Sequence, residues 1–341
     1  IVDFSQSMIG HLRGGLAQVN IFSSLLFSGL SGSAVADASA LGKIFIPAMS
    51  EAGYSRPFAA AVTSASAVIG PIIPPSGIMI LYAYVMNVSV AGLFAAGIVP
   101  GLLIAIGLML TTSYIAVTRK FPVAGPKSNL RKRTQAFRGA FPALLTPVIL
   151  LGGILSGFFT PTEAAAVAAT YALVVSVFFT RTLKLRELPP VFVDSAVQSG
   201  MVLLLVGASV VFAWLITVSG LAGVMSDAMA GFTDNKLILL FLLNLLLLLI
   251  GMFLDAGPAV LVLGPVLGPM FIEMGVDPMH FAVVMCINLT VGLATPPMGL
   301  VLFVGASVSG QRVETIARAM LPFLAVEIVL IFLITYFPSL S

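Results

Sequence analysis

Twice in this chain a long apolar stretch carries two adjacent prolines. Residues 70–77 read GPIIPPSG and residues 292–299 read GLATPPMG. A proline has no backbone N–H, and its ring clashes with the preceding helical turn, so neither stretch can be a continuous α-helix. At membrane depth, backbone that leaves the helix is tolerated only where it is buried in protein or lines a water-filled cavity. Apolar segments broken at their centres therefore restrict the fold more than any other feature here.

Composition decides that membrane depth is the relevant setting. Of 341 residues, 59% are hydrophobic and 9% charged, against roughly 25% charged in soluble domains. Runs at 93–117, 196–219 and 322–337 reach or approach the ~20 apolar residues that a spanning helix needs. We expect an all-α multi-pass membrane protein. The opening Ile1, Val2, Asp3, Phe4 has neither the charged start nor the apolar core of a signal peptide, and no Met. The expectation is that an N-terminal part is missing. A single cysteine, Cys286, permits no disulfide within the chain and reads as a small buried apolar residue. Two histidines, His11 and His280, leave no His-rich metal site.

The net charge of +3 says less than its distribution. Arg119, Lys120, Lys127, Arg131, Lys132, Arg133 and Arg138 form one segment without an acid, and Arg181, Lys184 and Arg186 form a second cluster. The positive-inside rule puts both on the cytoplasmic side. A topogenic loop is preferred to a nucleic-acid patch for the run 131–133. From that anchor, spans at 141–158 and 163–180 go out and back, 196–219 goes outward, and 93–117 runs inward. Arg56, His11 and Arg13 fall inside, as do Arg312 and Arg318. Asp227, Asp234, Lys236, Glu273 and Asp277 fall outside.

Sliding the chain along itself until Gly29 meets Gly251 also pairs Gly42 with Gly264, Pro47 with Pro269 and Gly53 with Gly275. At the same offset Gly70 meets Gly292, Pro74 and Pro75 meet Pro296 and Pro297, Gly77 meets Gly299, and Pro100 meets Pro322. These are backbone-shaping positions, in order and without a gap, which marks an internal repeat. The charge argument gives the two copies opposite orientation, a mark of secondary transporters. The organisation read from this is a first inverted repeat over 1–118, with a hairpin at 28–50 and a broken helix at 58–86. A basic cytoplasmic loop covers 119–139. The second repeat covers 140–341, with a hairpin at 250–272 and a broken helix at 280–304.

Each hairpin segment is too interrupted by Gly, Ser or Pro for one spanning helix and too apolar for a surface loop. We read both as re-entrant helix–tip–helix units, with tips near residues 31–33 and 255–257. A broken helix leaves free carbonyls on one half and free amides on the other. The carbonyls suit a cation, and the half-helix N-terminus suits an anion. Two tips and two breaks make two pseudo-symmetric sites.

Candidate ligands follow. Ser31 and Ser33 offer hydroxyls or serve as small packing residues. Asp37 is either a first-turn helix partner or a cation-site residue. Asp255 aligns with Ser33, and an acid at membrane depth is costly and usually functional. Ser66 and Asn288 also align, before each break, as ligands or as interhelical hydrogen-bonding groups. Thr295 is an oxygen ligand candidate. Thr160, Pro161 and Glu163 fit the cap, first turn and acid of a capping box, with proton coupling by Glu163 as the other reading. The chain has no Walker-type phosphate loop, so ATP on this chain is not the energy source.

Four stretches in order, GLSGSAVADASALG, PIIPPSG, SGFFTPTEAAAVAATYAL and GLATPPMG, resemble the large membrane subunit of tripartite ATP-independent periplasmic (TRAP) transporters, within the ion-transporter superfamily. The resemblance covers essentially the whole chain. It implies an elevator in which a body holding both hairpins and both broken helices slides against a scaffold. It also implies sodium-driven import of an organic acid such as a C4-dicarboxylate, sialic acid or another sugar acid. The implied partners are a small four-helix membrane subunit and a periplasmic solute-binding protein, in a bacterial inner membrane. Carried over, the sodium sites comprise Ser31, Gly32 and Ser33 with Gly70, Pro71 and Pro74, and Asp255, Ala256 and Gly257 with Gly292, Thr295 and Pro296. The substrate would sit between the tips, near Ser33, Ser66, Pro75, Ser76, Asn288 and Pro297. No cofactor is implied beyond Na+ as coupling ion.

Three other readings compete. A self-sufficient ion-coupled carboxylate symporter shares the architecture without a binding protein. An intramembrane hydrolase would use Ser31 or Ser33 with His11 or His280, but the charge-derived topology puts those histidines away from the tips. A pure scaffold subunit would have no need of paired midplane breaks.

Overall fold

A computed structural model describes residues 1–121, 127–220 and 235–341. Among these residues every regular element is helical. Seven helical stretches among them are long and apolar enough to cross a membrane. The chain is a multi-pass membrane protein.

The first half runs through α1 (Val2–Ile9), α2 (Gly15–Ser31), α3 (Ala34–Glu51), α4 (Arg56–Ala67), the single turn α5 (Ile69–Ile72), α6 (Gly77–Met86) and α7 (Val90–Thr118). Three outer helices follow: α8 (Leu130–Leu155), α9 (Pro161–Val174) and α10 (Leu188–Ser219). The last part is α11 (Lys236–Gly251), α12 (Ala256–Glu273), α13 (Pro278–Gly292), α14 (Leu300–Ser309) and α15 (Val313–Tyr336). Hairpin, interrupted helix and long helix thus occur in the same order at both ends of the chain.

The hairpins are longer than the sequence suggested. Their first arms begin at Gly15 and Lys236, not at 28 and 250. Polar residues in α2 argue locally against a helix there, yet they are buried and bonded to other helices. Gln18 Nε2 donates to Met109 O and Ser113 Oγ, both at 2.8 Å. Asn20 Nδ2 donates to Thr63 Oγ1 at 2.7 Å. These bonds offset the cost of the two amide NH2 groups at depth, while Gln18 Oε1 and Asn20 Oδ1 have no hydrogen-bond partner among the described residues. The first tip lies where expected. In the second, residues 252–255 form the turn, and Ala256 and Gly257 already belong to α12.

The basic segment 119–139 is not loop throughout. Asn129 caps α8, its Oδ1 accepting from Lys132 N at 2.9 Å, and helix continues from Leu130 through all of 130–139. The capping box at α9 is present: Thr160 N donates to Glu163 Oε2 at 2.8 Å, and Thr160 Oγ1 accepts from Glu163 N at 3.3 Å. Helices α8 to α10 carry many exposed apolar side chains, Val148, Val167 and Leu204 among them, the kind of surface that a bilayer covers. Asp227 and Asp234, assigned outside by charge, lie outside the described residues.

The core joins the two ends of the chain. Helix α15 packs on α4 and α7, with Phe58 and Phe323 ring centroids 5.9 Å apart. Each returning hairpin arm packs on the far half of the other interrupted helix, α3 on α14 and α12 on α6. A methyl added at Gly42 would lie 3.5 Å from Val308 Cγ1, and one at Gly264 would lie 3.7 Å from Met86 Cγ. Gly42 and Gly264 are 222 positions apart in the chain, and so are Met86 and Val308.

Candidate functional site

The first hairpin turns at Gly32, whose φ of +60° is left-handed and natural for glycine. Ser33 is extended, and its hydroxyl caps α3, accepting from Ala36 N at 3.4 Å. A methyl added at Gly32 would meet Pro75 O at 3.2 Å and Gly77 N at 3.4 Å. The tip therefore abuts the break between α5 and α6. There Ser76 is fully buried; its hydroxyl donates to Pro71 O and accepts from Met79 N at 3.3 Å, capping α6. The peptides between Pro74 and Pro75 and between Pro296 and Pro297 are both cis.

Asp37 completes this pair. It is wholly buried, and Ser31 Oγ donates to its Oδ1. Among the described residues Oδ2 has no hydrogen-bond partner, and a methyl at Gly70 would collide with it. Gly70 leaves that space for a carboxylate. Asp37 lies in the first turn of α3 and is buried beside Gly70, a placement that accommodates both the helix-partner and the cation-site reading. Its signal was the spacing of an acid four residues past the tip, with nothing in the sequence to link it to Gly70.

The second pair joins differently. Gly251 and Gly292 bring backbones together: a methyl on Gly292 would lie 2.6 Å from Gly251 Cα, and one on Gly251 2.7 Å from Leu289 O. Asp255 is exposed and caps α12, its Oδ1 accepting from Ala256 N at 2.9 Å. The aligned Ser33 and Asp255 thus share the capping task. In the break, Thr295 Oγ1 donates to Val291 O at 2.9 Å, which leaves its lone pairs free. The carbonyls of Leu293 and Thr295 crowd Gly299, 2.5 and 2.8 Å from where a side chain would begin. They accept from Val301 N and Gly299 N at 3.0 and 3.1 Å.

Both tips open on one cleft of about 140 Å³, lined by Gly32, Ser33, Pro71, Asp255, Ala256 and Gly257 with Leu293 and other neighbours. Ser31 and Gly70 stand behind it around Asp37. Pro74 and Ser76 are buried in the first break, Pro75 and Pro296 are half-buried, and Pro297 is exposed. Ser66 and Asn288 are not brought to the cleft. Ser66 accepts from Ser24 Oγ at 2.8 Å, and Asn288 Nδ2 donates to Asn244 Oδ1 at 2.8 Å. These join the first hairpin arms to the interrupted helices, which is the interhelical reading of both residues. His280 is engaged by Ser341 Oγ at 2.5 Å and Thr335 O at 3.1 Å, and neither it nor His11 lines the cleft.

Chemically, the site offers hydroxyl, carbonyl and carboxylate oxygens, donors suited to a hard cation. Among the described residues no group of three His, Cys, Asp or Glu side chains could hold a metal ion. The N-termini of α3 and α12 both reach the cleft; the uncapped amides of α3 favour an anion, whereas at α12 the Asp255 carboxylate already takes that place. Cation and anion donors thus stand side by side.

The family model "Tripartite ATP-independent periplasmic transporter, DctM component" matches residues 1–340. The chain is 41% identical over its whole length to the sialic acid TRAP transporter large permease protein SiaM of Vibrio cholerae, covering 80% of that protein. It is 38% identical to the C4-dicarboxylate TRAP transporter large permease protein DctM of Pseudomonas aeruginosa, again covering 80%. Against the sialic acid TRAP transporter permease protein SiaT of Haemophilus influenzae it is 40% identical and spans 55% of the longer chain. The fold is also similar to the YdaH transporter of Alcanivorax borkumensis, with a TM-score of 0.67, 18% identity, and coverage of 99% of this chain and 84% of that one. The cleft between two hairpin tips therefore sits in a transporter component and not in an enzyme: the chain belongs to the DctM-component family of tripartite ATP-independent periplasmic transporters.

Proposed function

We propose that this chain is the large permease subunit of a sodium-coupled secondary transporter that imports an organic acid delivered by a periplasmic binding protein. The observation that carries the reading is the shared cleft, with a hairpin tip and a helix break on each side of it. Sodium would be cargo, held on one side by Ser31, Asp37 and backbone around Gly70, and on the other by Thr295 with the carbonyls near Gly299. The acid would lie between the tips, its carboxylate toward the N-terminus of α3. Relatives named for sialic acid and for C4-dicarboxylates make a sugar acid or a dicarboxylate the substrate class.

The two halves are read as inverted repeats that move together as an elevator body in a bacterial inner membrane. The family's tripartite description supports two partners, a small membrane subunit and the binding protein. The exposed apolar sides of α8 to α10 are where the small subunit and lipid would sit.

Uptake into proteoliposomes tests this. The full-length subunit with its small partner is given a sodium gradient, a binding protein and a panel of dicarboxylates and sialic acid. Uptake that needs both sodium and the binding protein is the expected result. Sodium-driven uptake without the binding protein would replace this reading with the self-sufficient symporter. Uptake indifferent to sodium would overturn the coupling.

A further inference from the structure

Helix α15 carries an acid in the middle of its inward face. Glu327 is wholly buried, and so are Phe323, Ile331 and Met320, four and seven positions from it along the helix. Those spacings share one face. One turn back, Phe323 meets Phe58 of α4. On the flank, a methyl at Gly107 of α7 would lie 2.8 Å from Leu330 Cδ1 and 3.0 Å from Val326 Cγ1. Glu327 therefore sits where α15 joins the two ends of the chain, within a helix long and apolar enough to cross a membrane. Among the described residues neither Oε1 nor Oε2 has a hydrogen-bond partner.

The neighbouring elements bring no positive charge to it. Arg56 opens α4, Lys236 opens α11 and Arg119 ends α7; all three are exposed, as is Tyr114 of α7. Helix α14 has no titratable side chain. On α13, Asp277 is an exposed cap, Cys286 is a free thiol, and His280 is engaged by Thr335 O, two turns along α15 from Glu327. On α15 itself, Glu314, Arg318 and Tyr336 lie nine or more positions away. The buried polar groups left without partners on the helices packed against α15 are Thr112 Oγ1 on α7 and Asn288 Oδ1 on α13, and both are neutral.

We infer that Glu327 is a proton-binding site at the joint between the two ends of the chain. A carboxylate buried with no cation to balance it is so costly that the group takes a proton instead. Acids placed at membrane depth mark proton sites for this reason. Protonated, the carboxyl gains an O–H to donate, and the helix packed beside it carries an acceptor in want of a donor, Asn288 Oδ1. Loss of the proton puts a bare charge between α15, α4 and α7 and loosens that joint. Acid conditions thus tighten the packing of the two ends, and alkaline conditions weaken it. The cleft between the tips has no lining residue from α15, so this proton is separate from the sodium and organic acid of the transport reading.

Unfolding brings the carboxyl to water, where it releases its proton at about pH 4.3. Above that pH folding takes up one proton, so stability falls as pH rises, by roughly tenfold in the folding constant per pH unit. The test is the unfolding temperature of the full-length protein in detergent between about pH 6 and about pH 8. Wild type should lose about 2 °C per pH unit relative to Glu327→Gln. Subtracting the variant's profile removes the contribution of every other acid, Asp37 included. Glu327→Leu should match Glu327→Gln and keeps the comparison open if the amide variant does not fold. The infrared spectrum at neutral pH should show a carboxylic-acid C=O band that shifts in D2O and is lost in either variant. Parallel pH profiles of wild type and variants, or an infrared spectrum in which neither substitution removes a carboxylic-acid band, would overturn the site.

Discussion

In the first hairpin–break pair, a wholly buried acid, Asp37, reaches across to Gly70, and the hydroxyl of Ser31 is bound to it. In the second pair the repeat equivalent of Asp37 is Ala259, and the hairpin meets its break through the bare backbones of Gly251 and Gly292. The breaks differ too. Pro71, Pro74 and Ser76 are buried, whereas Pro297 and Met298 are exposed. One backbone plan thus carries a closed pair with a buried acid and an open pair whose acid, Asp255, is exposed. Equivalent glycines do unlike jobs: Gly70 makes room for a side chain, Gly292 for main chain.

That contrast can be broken by substitution. The largest effect should come from Gly292→Ala, because the new methyl meets backbone that no rotamer change can move. A cost of at least about 3 kcal/mol is expected, the upper end for overpacking, read as loss of monodisperse protein and a lowered unfolding temperature. Normal folding of this variant would show that the two backbones are not as close as described. Next comes Asp37→Asn, isosteric but uncharged. A charge-assisted contact is worth about 1.5–3 kcal/mol, so the sodium concentration for half-maximal uptake should rise roughly ten- to hundredfold with folding retained. An unchanged sodium dependence would leave Asp37 as a buried helix partner.

Smaller effects sharpen the open side. Thr295→Val removes one hydroxyl from the second break. The loss of about 1 kcal/mol predicts a roughly fivefold weaker sodium activation, and a loss as large as that at Asp37 would erase the difference between the pairs. Gly77→Ala is the control. No atom lies within 4 Å of the added methyl, so stability should change by less than about 0.5 kcal/mol, even though its repeat partner Gly299 is crowded by two carbonyls.

Much of this arrangement was legible in the chain itself. Gly70, Pro74, Pro75 and their repeat partners Gly292, Pro296 and Pro297 mark both breaks because proline and glycine constrain the backbone locally. Gly32 and Ser33 mark a tip for the same reason. What escaped were features fixed by contacts between distant residues. The first arm reaches back to Gly15, and within it Gln18 finds its partner in Ser113, 95 residues away. Asn129 turned a basic loop into a helix start through one side-chain hydrogen bond. Ser66 and Asn288 read as ligands or as bonding groups, and only the positions of Ser24 and Asn244 separate the two. The contact of Asp37 with Gly70 depends on how a hairpin leans, which no local rule encodes.

The reciprocal seating of Gly42 beside Val308 and Gly264 beside Met86 has a consequence for how the chain can be divided. Each half lends an arm and receives one, so neither owns a complete interior. A cut between Phe121 and Lys127 would yield two fragments with matching unfilled seams, each aggregation-prone alone. Made together in one cell they should find each other and restore uptake without a peptide link. A unit of this shape is half of a handshake: stability begins only when a second one closes it.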